Sequence, residues 1–138
     1  MNVVLSIKPQ FAEKIFQGTK RYEFRRVIFK NSQVQKVIVY ASSPVQKVIG
    51  EFEIDQIISL DLITLWDTTK EHSGITKEYF FDYFGNKEYG FAIKIKNTKR
   101  YRSPKCLRED FNLIPPQSFL YFNEQKNNHK KGFVVNDK

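Results

Sequence analysis

The stretch 17-QGTKRYEFRR-26 places Lys20, Glu23 and Arg25 close together, a lone carboxylate among four cations. In a strand, residues i and i+2 share a face. Glu23 can therefore hold the Arg25 guanidinium in one orientation and leave its remaining donors for a ligand. Lys20, just past a glycine, is expected at the mouth of that strand as a mobile point charge. The plainer reading is a surface ion pair, about 0–1 kcal/mol. A lysine and a carboxylate also suffice for acid–base chemistry, provided burial brings their pKa values near working pH.

A second concentration of charge runs from Lys94 to Arg108, with seven basic residues and no acid: Lys94, Lys96, Lys99, Arg100, Arg102, Lys105 and Arg108. Tyr101 sits among them, and cations interleaved with an aromatic suit a phosphate track with a base-stacking surface. Lysines on a strand edge also guard against aggregation, which is the bland alternative. Arg21 and Arg26 extend the basic character of the first stretch.

The elements that must position these groups follow from the pattern. Val3 to Ile7 reads as a strand. Pro9 opens a helix whose stripe is Phe11, Ala12, Ile15 and Phe16, and Gly18 ends it in the left-handed conformation. Lys20 to Ile28 reads as a second strand, Lys30 to Gln35 as a loop, and Lys36 to Ala41 as a buried strand. Val48 to Ile54 is a strand with a bulge expected at Gly50. Asp61 caps a helix carrying Leu62, Leu65 and Trp66 that ends near Gly74. Thr76 starts another, with Ile75 stapled to Phe80, the pairs Phe80/Phe84 and Tyr79/Tyr83, and Gly85 closing it. Glu88 to Lys96 alternates as a strand with Tyr89, Phe91, Ile93 and Ile95 inward. Pro115-Pro116 introduces a last strand, Ser118 to Phe122. The expected organisation is one α+β domain over residues 1–122, a small partly closed barrel with helices inserted between strands, then a polar, basic tail over 123–138 in which Phe133 to Val135 is able to dock.

The chain has 138 residues, 41% of them hydrophobic, with 13 phenylalanines and a net charge of +8. That is enough apolar material for one core, and the charge suggests a polyanionic partner. The single cysteine, Cys106, and two distant histidines, His72 and His129, argue against a disulfide or a metal cluster. No apolar run is long enough for a membrane span and no signal-peptide pattern opens the sequence, so a soluble, cytoplasmic protein is expected.

Gly18-x-Lys20-x-x-Glu23-x-Arg25 resembles the G-x-K-x-x-E-x-R motif of ASCH domains, a branch of the PUA-like superfamily. The strand–helix–glycine context matches as well, and the likeness extends over roughly residues 3–122. The resemblance implies a small mixed β-barrel with a cleft lined by Lys20, Glu23 and Arg25, and a nucleic acid or modified nucleoside as ligand. It also points to Tyr40, Ser42 and Ser118 as cleft walls, with Ser43 and Gln117 more simply read as turn residues.

The resulting expectation is a nucleic-acid-binding module, RNA favoured over DNA. Arg21, Arg26, Lys94, Lys96, Lys99, Arg100 and Arg102 would hold backbone phosphates, and no cofactor is implied. The alternative is a hydrolase, either a ribonuclease using Lys20 and Glu23 or an enzyme removing acetyl groups from N4-acetylcytidine. The latter subfamily resembles this chain at the glycine, lysine and arginine. It carries a threonine nucleophile where Glu23 stands and a catalytic glutamate near the position of Ser73, so that route lacks its hydroxyl here. A protein-interaction adaptor is a third possibility. Trp66 is read as core, His72 as a loop residue and Cys106 as inert.

Overall fold

A computed structural model describes residues 1–123. Six strands and four helices follow the order β1 (Asn2–Ile7), α1 (Pro9–Gln17), β2 (Tyr22–Arg25), β3 (Lys36–Ala41), β4 (Lys47–Asp61), α2 (Leu62–Thr69), α3 (Lys77–Phe84), β5 (Tyr89–Lys105), α4 (Leu107–Phe111) and β6 (Phe119–Phe122). A 3-10 turn at Lys70–His72 links α2 to the approach of α3. Of the expected tail over 123–138, residues 124–138, including Phe133 to Val135, lie outside the described residues.

All six strands form one mixed sheet in the order β2-β5-β4-β3-β1-β6. β1 runs parallel to β3, and every other pair is antiparallel. The α+β architecture with inserted helices is as expected, but the sheet does not close into a barrel. Its edge strands β2 and β6 are not hydrogen-bonded to each other. β2 has four residues instead of the nine read from Lys20 to Ile28, and its pairing stops at Arg25 opposite Phe91. Beyond it Arg26 and Val27 are exposed, so the backbone leaves the ladder and a seam stays open between the edges.

β1 and β3 are buried on both faces, which explains their continuous apolar runs. Val3, Leu5, Val37, Val39, Phe52 and Ile93 pack with Ala12 and Ile15 of α1. On the opposite face Val4, Ile38, Tyr40 and Val48 pack with Leu107 and Leu113. A third cluster joins Leu65 of α2 to Phe80 and Phe84 of α3 and to Phe24 of β2, with Ile75 and Trp66 against it. The caps read from the sequence are present. Asp61 accepts from the Thr64 N–H (3.1 Å), Thr76 accepts from the Tyr79 N–H (3.0 Å), and Gly18 takes φ 88° after α1.

The register shifts at Gly50 as expected of a bulge. A β-carbon there would come within 2.4 Å of the Phe16 ring and 2.6 Å of the Lys99 carbonyl oxygen, so backbone and ring need glycine to approach. β4 and β5 run far past their expected ends, pairing as one long hairpin up to Asp61–Tyr89. The added part of β4 packs Ile58 and Leu60 against the α2–α3 cluster, and the added part of β5 pairs with Gly50 and Glu51; between them the register shifts, and Asp55, Gln56, Asn97 and Thr98 are exposed there. Tyr89, expected inward, is 60% exposed because Gly90 and Ala92 take the buried positions. No helix among the described residues is long and apolar enough to cross a membrane.

Candidate functional site

The open seam is a cleft of about 470 Å3. One wall comes from Ser6, Ile7 and Lys8 at the end of β1, with Gln117 and Ser118 before β6; the opposite wall comes from Tyr79 and Tyr83 of α3. Lys20, Glu23, Phe24, Arg25 and Arg26 line the remainder.

Arg25 ties the two sides of the seam together. Its Nη1 donates to the Ser6 carbonyl (3.3 Å) and to Glu23 Oε2 (3.3 Å). Its Nη2 donates to the Ser118 carbonyl (2.9 Å) and Oγ (3.2 Å). The Arg25 and Glu23 side chains are 11% and 8% exposed. Glu23 does orient the guanidinium, as the i+2 spacing suggests. The outcome differs, however: both Nη groups are engaged by protein acceptors, so Arg25 is first a strut across the seam. The rigid planar fork makes this geometry possible where a lysine could not reach four acceptors.

Lys20 also departs from expectation. It is 2% exposed, not a mobile charge at the rim. The turn after α1 folds it inward, its N–H bonding to the Lys14 carbonyl (3.1 Å) while the Arg21 N–H bonds to the His72 carbonyl (2.8 Å). Strand geometry begins only at Tyr22, so the alternation that would separate Lys20 from Glu23 does not apply and both reach the same cleft. Lys20 Nζ donates to the Ser73 carbonyl (2.8 Å) and lies 4.9 Å from the centre of the Phe24 ring and 5.4 Å from that of Phe11. Gly74 packs on its aliphatic stem at φ +71°, where a β-carbon would fall 2.5 Å from that of Lys20. Burial lowers the Lys20 pKa to about 8, with the Glu23 charge opposing the shift and Lys14 adding to it. At pH 7 roughly a tenth of such an amine is neutral.

The aromatic wall was legible only as a helix pattern. Tyr79 and Tyr83 lie four apart on α3, about 100° round the helix from the core pair Phe80 and Phe84, and so face the seam. Tyr79 meets Phe11 edge-on at 5.1 Å and carries Lys8 Nζ at 5.4 Å from its centre. The Arg26 guanidinium lies 5.2 Å over the Tyr83 ring, whose hydroxyl donates to the Phe24 carbonyl (3.2 Å). Burial pushes the Tyr83 hydroxyl pKa up, so it stays protonated. Lys8, Phe11, Tyr79 and Tyr83 are additions that tertiary packing supplies.

Tyr40 and Ser42 do not line the cleft. Tyr40 is buried in the cluster on the other face of the sheet, because β3 alternates and Val39 takes the α1 side; Ser42 ends β3 with its N–H on the Ile7 carbonyl (3.0 Å). Ser118 is present, and Gln117 joins it.

The basic run is divided. Arg100 pairs with Glu13 and lies 5.4 Å over the Phe16 ring, while Lys99 and Arg102 are exposed on β5. Tyr101 is no open stacking surface. Its hydroxyl donates to Glu51 (2.8 Å), and Lys105 Nζ covers the ring at 4.6 Å.

Residues 5–101, most of the described sheet and both cleft-forming insertions, match the ASCH domain family. The chain belongs to the ASCH domain family. It is 30% identical over 128 residues to an ASCH domain-containing ribonuclease of Zymomonas mobilis, covering 89% of this chain and 85% of that protein. The crystal structure of ASCH from Zymomonas mobilis superimposes with a TM-score of 0.82 over 90% of this chain and 89% of that one, at 30% identity. A 36% identical match over 122 residues, 86% of this chain, is to ATP synthase subunit alpha of Ureaplasma parvum, of which the chain spans only 15%.

Proposed function

We propose that the cleft binds single-stranded RNA and that Lys20 cleaves it. The observation that carries this reading is a buried amine of pKa about 8 in a nucleotide-sized cleft walled by tyrosines and cations. Tyr79 and Tyr83 offer surfaces for an unstacked base, and Arg26 and Lys8 beside them suit its phosphates. A double helix is too wide for a 470 Å3 hollow. The likeness to a ribonuclease supports the same reading.

In the proposed chemistry the neutral Lys20 amine accepts the proton of the ribose 2′-hydroxyl. The 2′-oxygen attacks phosphorus and the P–O5′ bond breaks. The leaving 5′-oxygen takes a proton from the ammonium or from water. The products are a 2′,3′-cyclic phosphate and a 5′-hydroxyl, with no redox change and no water consumed. The hydrogen bond to Ser73 uses an amine hydrogen and leaves the lone pair of neutral Lys20 free to accept.

The test is incubation of labelled RNA with wild type and Lys20→Ala, alongside binding of a 2′-O-methyl oligonucleotide that has no attacking hydroxyl. Cleavage is expected to fall by about 100-fold or more, with analogue binding largely kept. Equal cleavage by both proteins removes Lys20 from the chemistry. Tight analogue binding with no cleavage by wild type leaves a binding module, the reading favoured by the anchoring of Lys20 to Ser73. Deacylation of a modified cytidine is poorly supported: Glu23 offers no hydroxyl, and Ser73 is 2% exposed with its hydroxyl bonded to the Lys70 and Ile75 carbonyls.

A further inference from the structure

Across Lys20 from the cleft lies a second concavity of about 420 Å3. Its lining draws on the turn after α1 and on β5, and it includes Lys20, Arg21, His72, Lys94 and Lys96 without a single carboxylate. Lys20 is common to both hollows. Lys94 is held by Asp55 (3.7 Å), whereas Arg21 and Lys96 form no ion pair among the described residues. Both of those side chains are exposed, and neither makes a side-chain hydrogen bond within the described chain.

The hollow has a backbone cause. The Arg21 carbonyl accepts from the Ile95 N–H (3.0 Å), the last link between the β2 edge and β5. Past it β5 runs on through Lys96 and bulges at Asn97, whose φ is +51°, with no strand beside it on that edge among the described residues. The chain therefore brings cations from two segments around one depression, and the acids of the neighbouring strand bond to its lining residues without joining the lining. Glu53, for example, accepts from Asn97 Nδ2 (2.8 Å) without entering the lining.

We propose that this concavity is a phosphate subsite for the RNA strand, holding backbone beyond the nucleotide seated in the seam. It rests on the RNA reading of the cleft and extends it. The strand would pass from one hollow to the other at Lys20, so that the scissile phosphate is gripped from both sides. Arg21 presents a planar fork and Lys96 a compact charge, and neither must first break an internal ion pair to meet a phosphate.

The experiment uses non-cleavable 2′-O-methyl oligonucleotides, a dinucleotide and an octanucleotide, titrated across a salt series. Wild type is expected to bind the longer strand more tightly. Arg21→Ala/Lys96→Ala should weaken octanucleotide binding about tenfold and flatten its log–log salt slope by roughly 1.4, two contacts at about 0.7 each for single strands. Dinucleotide binding should be unchanged, and Lys99→Ala/Arg102→Ala should cost clearly less. An Arg21/Lys96 variant that matches wild type in affinity and slope overturns the subsite while leaving the cleft reading intact. Equal losses in the two double variants also overturn it, since diffuse charge then explains the binding. Failure of wild type to bind either oligonucleotide overturns the cleft reading and the subsite together.

Discussion

The seam and the outer arm of β5 are built from the same residue types, cations interleaved with aromatics, and the fold treats them in opposite ways. In the seam Lys20 and Glu23 are 2% and 6% exposed, and each charge has a fixed partner. On the arm, outside the second hollow, Lys99 and Arg102 stand in solvent. Buried charges demand partners, so they fix geometry and shift pKa values. Exposed ones do neither, and supply only a field that salt screens. On the proposed reading, chemistry belongs to the seam and long-range attraction to the arm.

The sharpest way to break this contrast is Arg25→Ala. It strands the Glu23 carboxylate and removes donors from the Ser6 and Ser118 carbonyls at once. Breaking a buried pair by removing one partner costs about 3–5 kcal/mol, so urea unfolding should show a loss of unfolding free energy of that size. Arg25→Lys should recover only part of it, since one ammonium cannot replace the fork. A loss below about 1 kcal/mol would mean that the strut does not hold the seam.

Gly74→Ala comes next, at about 2–3 kcal/mol. The left-handed backbone costs a residue with a β-carbon about 1–2 kcal/mol, and the new carbon meets the Lys20 stem at 2.5 Å. Because Lys20 must yield, the pH profile of cleavage should move along with stability. A purely structural glycine would leave that profile in place.

The Lys20 pKa gives an effect of about 2 kcal/mol with a defined sign. The folded value, about 8, lies below the ordinary lysine value of 10.5. Between these pH values the unfolded chain binds the extra proton, so stability rises with pH across that window. Below pH 8 the penalty is fully present. Wild type minus Lys20→Met, measured by denaturant unfolding at pH 8 and pH 10, should rise by about 2 kcal/mol in favour of wild type. A flat difference would place the ammonium in a solvated environment and remove the basis for acid–base chemistry.

The sequence carried most of the elements and little of their assembly. Pro9, Gly18, Asp61, Thr76 and Gly85 mark boundaries by local backbone chemistry, and all five stand where that chemistry puts them. The extent of β4 and β5 is hidden because the register shifts at Glu51–Glu53 and Ile54–Gln56 interrupt the period-2 alternation. The motif spacing gave Glu23 and Arg25 as a pair. It could not show that the guanidinium would reach Ser6 and Ser118, 19 and 93 residues away in the chain. Lys20 was misplaced for a related reason: strand periodicity was extended into a turn held by Lys14 and His72 carbonyls. Tyr40 shows the limit of placing a residue from a strand end alone, since one step along β3 changes its face.

The smallest expected effect completes the contrast from the other side. Lys99→Ala/Arg102→Ala should change stability by less than about 0.5 kcal/mol, because both side chains are exposed and neither forms an ion pair among the described residues. Its consequence should appear in association: slower RNA capture at low salt, and a difference from wild type that fades as ionic strength rises past about 0.15 M, where the Debye length is about 8 Å. Cleavage of saturating RNA should be untouched. If it falls instead, the arm enters the chemistry, and the division between a seam that reacts and an arm that attracts no longer holds.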